Sequence, residues 1–152
     1  MKIAVIGTGY VGLVSGACFS EFGFDVTCID KNAAKIETIN QRVMPIYEPG
    51  LAELVGRNVD AGRLHFSTDL DKAVAHADAV FIAVGTPTRR GDGHADLSFV
   101  YAVAEELAAH LCGYTVIVTK STVPVGTGRE VADIVAKANP DADFDMVSNP
   151  EF

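Results

Sequence analysis

The chain opens with MKIAVIGTGYVGLVSG, residues 1 to 16. Lys2 to Ile6 is short, apolar and stopped by a glycine, as a buried strand is. Glycines follow at Gly7, Gly9 and Gly12, and the small and apolar residues from Val11 to Phe22 read as a helix closed by Gly23. A strand, a turn spaced Gly-x-Gly-x-x-Gly and a helix make the first part of a βαβ unit.

The next segment strengthens this. Asp25 to Ile29 reads as a second strand and runs straight into Asp30, eighteen residues past Gly12, where an acidic residue is expected at roughly 20. Each part then has a physical task. Gly7 permits the tight turn, Gly9 lets the backbone approach a pyrophosphate, and Gly12 lets the helix pack close to the strand. First-turn N–H groups and the helix dipole face the pyrophosphate. Asp30 can accept hydrogen bonds from both ribose hydroxyls and would repel a 2′-phosphate, so the expected cofactor is NAD rather than NADP. Lys35 stands within reach of the same ribose or is a solvated helix cation. Arg42 lies too far along the chain for a 2′-phosphate partner.

Downstream, strands and helices alternate. Helices are expected over Ala33 to Gln41 and in LAELVGRNVDAG, with a weak strand at Leu64 to Ser67. Thr68 and Asp71 resemble a capping box for a helix through His76. A fourth strand covers residues 78 to 85, and a helix capped by Asp96 covers Ser98 to Leu111. A fifth strand spans residues 114 to 120, Thr127 and Glu130 give a second capping signal for a helix to Ala138, and residues 144 to 148 form a sixth strand. Six strands alternating with helices imply an α/β fold: a doubly wound six-stranded parallel Rossmann sheet with helices on both faces. No repeat or linker divides residues 1 to 152, so one NAD-binding domain is expected.

Composition narrows the functions. Twenty acidic against twelve basic residues leave a net charge of −8, which argues against nucleic-acid or anionic-membrane affinity. Cys18, Cys28 and Cys112 are widely spaced and odd in number, so neither a disulfide framework nor a zinc site is suggested. His65, His76, His94 and His110 are scattered without metal-ligand spacing. The apolar start is cut short by Gly7, too soon for a signal peptide or membrane span, so a cytoplasmic domain is expected.

In an open doubly wound sheet, ligands bind beyond the carboxyl ends of the strands. Three later loops leave strands at that edge: Gly85 to Thr88, Ser121 to Gly128, and Asn149 to Phe152. They carry Thr86, Thr122 and Glu151, two hydroxyls and a carboxylate able to hold water or move protons. Local sequence alone also allows the threonines to be turn residues and Glu151 a solvated carboxylate. Arg89 and Arg90 read as a solvated loop tip.

IGTGYVGL, CID, PIYEPGL, AVGTPT, ADLSFV, KSTVPVGTG and SNPEF occur in this order. Together they resemble the amino-terminal domain of the UDP-glucose and GDP-mannose 6-dehydrogenase family, over essentially the whole chain. Among its members, those that oxidise UDP-glucose look most similar. The resemblance implies oxidation of a sugar C6 alcohol to the carboxylate with two NAD per turnover, through an active-site cysteine that carries a thiohemiacetal and then a thioester. It implies that Gly7, Gly9, Tyr10, Val11 and Gly12 line the pyrophosphate and that Asp30 and Lys35 hold the adenosine ribose. Gly85 and Thr86 would lie along the cofactor, Thr122 would position the catalytic water, and Glu151 would join a proton relay.

Family chains continue into a central helix and a sugar-nucleotide domain that carries the nucleophilic cysteine. The three cysteines here are poor substitutes: Cys18 and Cys28 fall in core elements, and Cys112 at a helix end. The expectation is a cofactor domain that binds NAD without completing a turnover, its whole enzyme being a homo-oligomer acting on UDP-glucose or a related sugar nucleotide. The alternatives are a stand-alone NAD-binding regulatory module and the cofactor domain of a GDP-mannose or UDP-N-acetylmannosamine dehydrogenase.

Overall fold

Lys2–Ile6 forms β1, the strand around which the molecule is built. The computed structural model describes residues 1–89, 91 and 93–151. After β1 come α1 (Tyr10–Glu21), β2 (Asp25–Ile29), α2 (Ala33–Asn40), α3 (Leu51–Asp60) and β3 (Leu64–Ser67). The second half holds α4 (Leu70–Ala75), β4 (Ala79–Ile82), α5 (Ser98–Ala108), β5 (Thr115–Thr119), α6 (Thr127–Ala138) and β6 (Phe144–Ser148).

The six strands form one sheet in the order β3-β2-β1-β4-β5-β6, and every neighbouring pair is parallel. The chain thus winds outward from β1 in one direction and, after β3, crosses to β4 and winds outward in the other. Between β1 and β4 lies the switch point where doubly wound sheets open a crevice.

Side chains of β1 alternate faces, as strand geometry requires. Ile3 and Val5 pack with Leu13 and Ala17 of α1 and Leu51 and Val55 of α3. Ala4 and Ile6 pack with Leu70 and Val74 of α4, Val100 to Leu107 of α5 and Val131 and Val135 of α6. Two apolar layers therefore cover the sheet: Ile3 to Ile6 of β1 are buried on both sides, and β4 buries Val80 and Ile82 on one face and half-buries Phe81 on the other. Val5, Leu13, Ile82 and Leu107 are fully buried, each contributing about 1.5–3 kcal/mol by leaving water.

The register places the site. Ile6 pairs with Ile29 and with Ile82, Ile82 with Thr119, and Thr119 with Ser148. The residues that follow these strand ends — Gly7, Asp30, Ala83, Lys120 and Asn149 — are therefore brought to one edge of the sheet.

Several expected boundaries and caps move. β4 ends at Ile82 rather than residue 85, because the chain parts from β5 there: the N–H groups of Lys120 and Ser121 both donate to the Ile82 carbonyl. α5 stops at Ala108, short of Leu111, where the His110 N–H turns back to Leu107. No Thr68–Asp71 capping box forms. Asp69 is the N-cap of α4 and carries no side-chain cap bond, and Ser67 Oγ accepts the Asp69 N–H at 3.0 Å. Thr127 caps nothing either. Gly126, at φ +99°, is the N-cap of α6, while Thr127 Oγ1 donates to the Pro124 carbonyl at 2.8 Å and Glu130 accepts from the Tyr101 hydroxyl. In α6 both polar residues thus have partners outside the helix, while at α4 the Asp69 carboxylate pairs with Lys72 within it. Asp96 does accept a first-turn N–H, that of Ser98 at 3.0 Å, from one residue outside the Leu97 N-cap.

Candidate functional site

The three glycines of the first turn are glycines for different reasons. Gly7 has φ +107°, and a Cβ there would stand 2.5 Å from the Ala83 carbonyl oxygen. A Cβ on Gly12 would stand 1.9 Å from the Gly7 oxygen. The protein's own packing demands both. Gly9, at φ −74°, is backbone any residue adopts, and a Cβ there would meet nothing within 4 Å. Of these three, Gly9 alone keeps open a space that no described residue fills. It is also the N-cap of α1, with no side-chain cap bond, so the first-turn N–H groups are left for another acceptor.

The turn is pinned to β2 at two levels. The Gly7 N–H donates to the Ile29 carbonyl at 2.7 Å. Thr8, fully buried, donates its hydroxyl to Asp30 Oδ2 at 2.6 Å and its N–H to the same oxygen at 3.1 Å. Lys35 Nζ reaches that oxygen too, at 3.0 Å, and the Asn32 N–H donates to Oδ1 at 3.0 Å. Partial burial works to raise the Asp30 carboxyl; the bonds from the Thr8 hydroxyl, the Asn32 N–H, Lys35 and the Thr8 N–H outweigh it and lower it to about 2. The acid at the end of β2 is therefore ionised and already oriented. Oδ2 is engaged by the turn and by Lys35, while Oδ1 has one backbone donor and room for more.

Beside this acid lies a cavity of about 600 Å³, within the range of small-molecule and cofactor sites. Gly7, Thr8, Gly9, Asp30, Lys35 and Gly85 contribute to its wall. Its far side is α5, where Phe99, Ala102 and Val103 make an apolar surface. Lys31 and Glu106, which also line it, form a 2.6 Å ion pair between the β2 end and α5. An ionised acid beside an apolar slot and a turn with an open N-cap fits an adenosine diphosphate in chemistry and in room.

Other candidate residues stand outside these walls. Tyr10 is half exposed and donates its hydroxyl to Glu48 Oε2 at 2.8 Å. Val11 is half-buried and packs on the α1–α3 layer. Thr86 Oγ1 donates to the Thr122 carbonyl at 3.1 Å, which joins the loops after β4 and β5. Thr122 and Glu151 are exposed, and Glu151 lies near enough to Tyr10 to help raise its phenol. Arg42 is spent elsewhere, on Asp60 at 2.7 Å and the Gly56 carbonyl at 2.9 Å. Arg89 is exposed, and Arg90 lies outside the described residues. His65 Nε2 sits 3.2 Å from the Gly62 carbonyl and 3.5 Å from Asp25 Oδ1. Among the described residues, no helix is long and apolar enough to cross a membrane.

Sequence reasoning missed Thr8, the residue between the first two glycines. A hydroxyl there, followed by an acid at the end of the next strand, was the available signal. Lys35, read from the sequence as a ribose neighbour or a solvated helix cation, bonds to Asp30 and lines the cavity beside it.

The chain is 64% identical over 152 residues to a UDP-glucose 6-dehydrogenase of Rhizobium meliloti, matching all of this chain and 35% of that protein. It superposes on a UDP-glucose dehydrogenase from Pyrobaculum islandicum with a TM-score of 0.91 at 42% identity, over 99% of this chain and 36% of that one. A GDP-mannose dehydrogenase from Pseudomonas aeruginosa gives a TM-score of 0.93 at 37% identity, over 100% and 36%. The chain thus spans about a third of the length of these relatives. The family model for the NAD-binding domain of UDP-glucose/GDP-mannose dehydrogenases matches residues 1–152. With its glycine turn, its acid at the end of β2 and this match over its whole length, the chain belongs to the UDP-glucose/GDP-mannose dehydrogenase family as an NAD-binding domain.

Proposed function

We propose that this chain is the cofactor half of an NAD-dependent UDP-glucose 6-dehydrogenase, which oxidises the sugar C6 alcohol to the carboxylate. The observation that carries the reading is the 64% identity to such an enzyme along the entire chain, which includes the loops with Thr86, Thr122 and Glu151. A module that only held NAD would have no use for those loops.

When bound, NAD supplies the hydride acceptor. The chain's own residues bind and orient it. The uncapped N–H groups after Gly9 take the pyrophosphate, as helix N-termini take anions. Asp30 Oδ1 accepts from the ribose hydroxyls, and the apolar wall of Phe99, Ala102 and Val103 takes the adenine. Gly85 lets the backbone after β4 run close to the cofactor. The Thr86–Thr122 bond fixes two loops at the same strand edge, where Thr122 orients water and Glu151 accepts a proton. None of the three thiols serves as nucleophile. Cys28 is buried and desolvation pushes its thiol up to about 12, Cys18 is half-buried in α1, and Cys112, just before β5, stands at the sheet edge opposite Gly7 and Asp30. Thiolates act as nucleophiles, so the covalent steps belong to residues outside this chain.

The reading is tested by NMR titration of the chain with NAD and, separately, UDP-glucose. Shifts confined to Gly7 to Gly12, Asp30, Gly85 and α5 with NAD, and no NADH formed from the two ligands together, are expected. Sugar-acid production by this chain alone would contradict it.

A further inference from the structure

We propose that Thr8 determines the cofactor specificity of this site by locking Asp30 in the one orientation that presents Oδ1 to a ribose hydroxyl. The proposal rests on the reading of Asp30 as the ribose partner.

Asp30 stands just past the end of β2, where a carboxylate is free to turn unless held. Of its donors, Lys35 is a long side chain on α2 with many rotamers and is still 27% exposed. The Asn32 N–H lies two residues further along the same turn and follows Asp30 wherever that turn goes. Thr8 differs from both. It is at 0% exposure, and its neighbours Gly7 and Gly9 are fixed by the glycine turn. Buried away from water, its hydroxyl keeps a partner only while Asp30 stays in place. Two donors from one rigid residue, at 2.6 and 3.1 Å, hold Oδ2 against the turn. The pyrophosphate turn and the ribose acid are thereby one unit.

Specificity follows from the cations nearby. Lys31 and Lys35 both line the cavity, Lys35 against Asp30 and Lys31 against Glu106 of α5. Each would bind a 2′-phosphate if released from its carboxylate. What keeps Lys35 occupied is a fixed, ionised Asp30, and what fixes Asp30 is Thr8. Without the Thr8 hydroxyl the carboxylate turns, Lys35 is freed, and a 2′-phosphate meets an ammonium instead of a carboxylate.

The test is calorimetric titration of the chain and its Thr8→Val, Thr8→Ser and Asp30→Ala variants with NAD and with NADP. Folding is checked by circular dichroism, and the Asp30 carboxyl is followed by NMR. Thr8→Val is expected to weaken NAD by about tenfold, the worth of one hydrogen bond to a charged group. NADP affinity should hold or rise, and the Asp30 carboxyl should titrate higher. Thr8→Ser should restore both. In the unaltered chain, the Thr8 amide resonance should move with the Asp30 titration, a readout that needs no variant. A Thr8→Val protein with the original NAD-to-NADP ratio, a Thr8→Ser protein that behaves like Thr8→Val, or a Thr8 amide silent to the Asp30 titration would each overturn the proposal. If Asp30→Ala abolishes NAD binding while Thr8→Val does not change the ratio, the role of Thr8 fails and the ribose reading stands. If Asp30→Ala changes nothing, both fail.

Discussion

The Tyr10 hydroxyl donates a 2.8 Å hydrogen bond to Glu48 Oε2, tying the first residue of α1 to the proline-bounded loop that leads into α3. This gives PIYEPGL, a stretch with no evident task in a generic nucleotide-binding domain, a physical one: it holds the start of the helix that carries the pyrophosphate turn. The bond to Glu48 is the main cause of a raised Tyr10 phenol, with the charge of Glu48, desolvation and Glu151 adding to it. Glu48→Gln should therefore bring the Tyr10 phenol down toward its ordinary value in an NMR titration, with Tyr10→Phe identifying the resonance. Hydrogen exchange in residues 43 to 50 should quicken in both variants. An unmoved phenol in Glu48→Gln would break the link.

The glycines separate by what an added methyl does. Gly12→Ala drives a Cβ to 1.9 Å from the Gly7 oxygen and should cost about 1–3 kcal/mol or more in urea unfolding. Gly9→Ala meets nothing within 4 Å and should leave stability within about 0.5 kcal/mol. It should nonetheless weaken NAD by about tenfold or more, because the backbone donors are held away from a charged group. A folded Gly9→Ala chain that binds NAD as tightly as the original would show that the open side of Gly9 has no ligand to admit.

Asp30 makes acid stability a readout of the site. Its folded carboxyl is lowered from 3.8 to about 2, so the unfolded chain binds the proton more readily. The stabilisation is fully present above pH ~4 and is lost as pH falls toward about 2; for a side chain this sheltered it is on the order of 1–2 kcal/mol. In urea unfolding, the gap between the original chain and Asp30→Asn should narrow through that window. A gap that stays constant from neutral pH to pH ~2 would mean that Asp30 is not held ionised.

The thiols should sort by burial. Cys28 is closed in against Gly16, where a Cβ would come within 2.3 Å of its sulfur, and Cys18 is half-buried while Cys112 is exposed. A thiol reagent should modify Cys112 rapidly, Cys18 slowly and Cys28 only on unfolding. Cys112→Ser should leave NAD affinity unchanged. Fast loss of Cys28 in the folded chain would contradict the packing of α1 on the sheet.

The strands and the glycine turn were legible because they depend on short-range pattern. An apolar run cut by a glycine at Gly7, and an acid directly after Ile29, fix strand ends whatever lies around them. The parallel, doubly wound character of the sheet followed from alternation and handedness. The helix starts were less legible. Thr68–Asp71 and Thr127–Glu130 have the right spacing, but neither box closes: Asp69 takes the N-cap of α4, Thr127 Oγ1 turns back to the Pro124 carbonyl three residues earlier, and Glu130 meets Tyr101 from another helix. Thr8 offered only a hydroxyl between two glycines as its signal. Its role depends on Asp30 arriving from twenty-two residues away, a contact that exists only once β1 and β2 are paired.

Calorimetric titration of the chain with NAD, repeated on Asp30→Ala and with NADP, tests most directly that the glycine turn and the acid at the end of β2 form a working cofactor site. Saturable NAD binding is expected, weakened by about tenfold or more in Asp30→Ala, with NADP binding more weakly than NAD to the original chain. No binding at saturating NAD, or equal affinity for the two cofactors that Asp30→Ala leaves untouched, would contradict it.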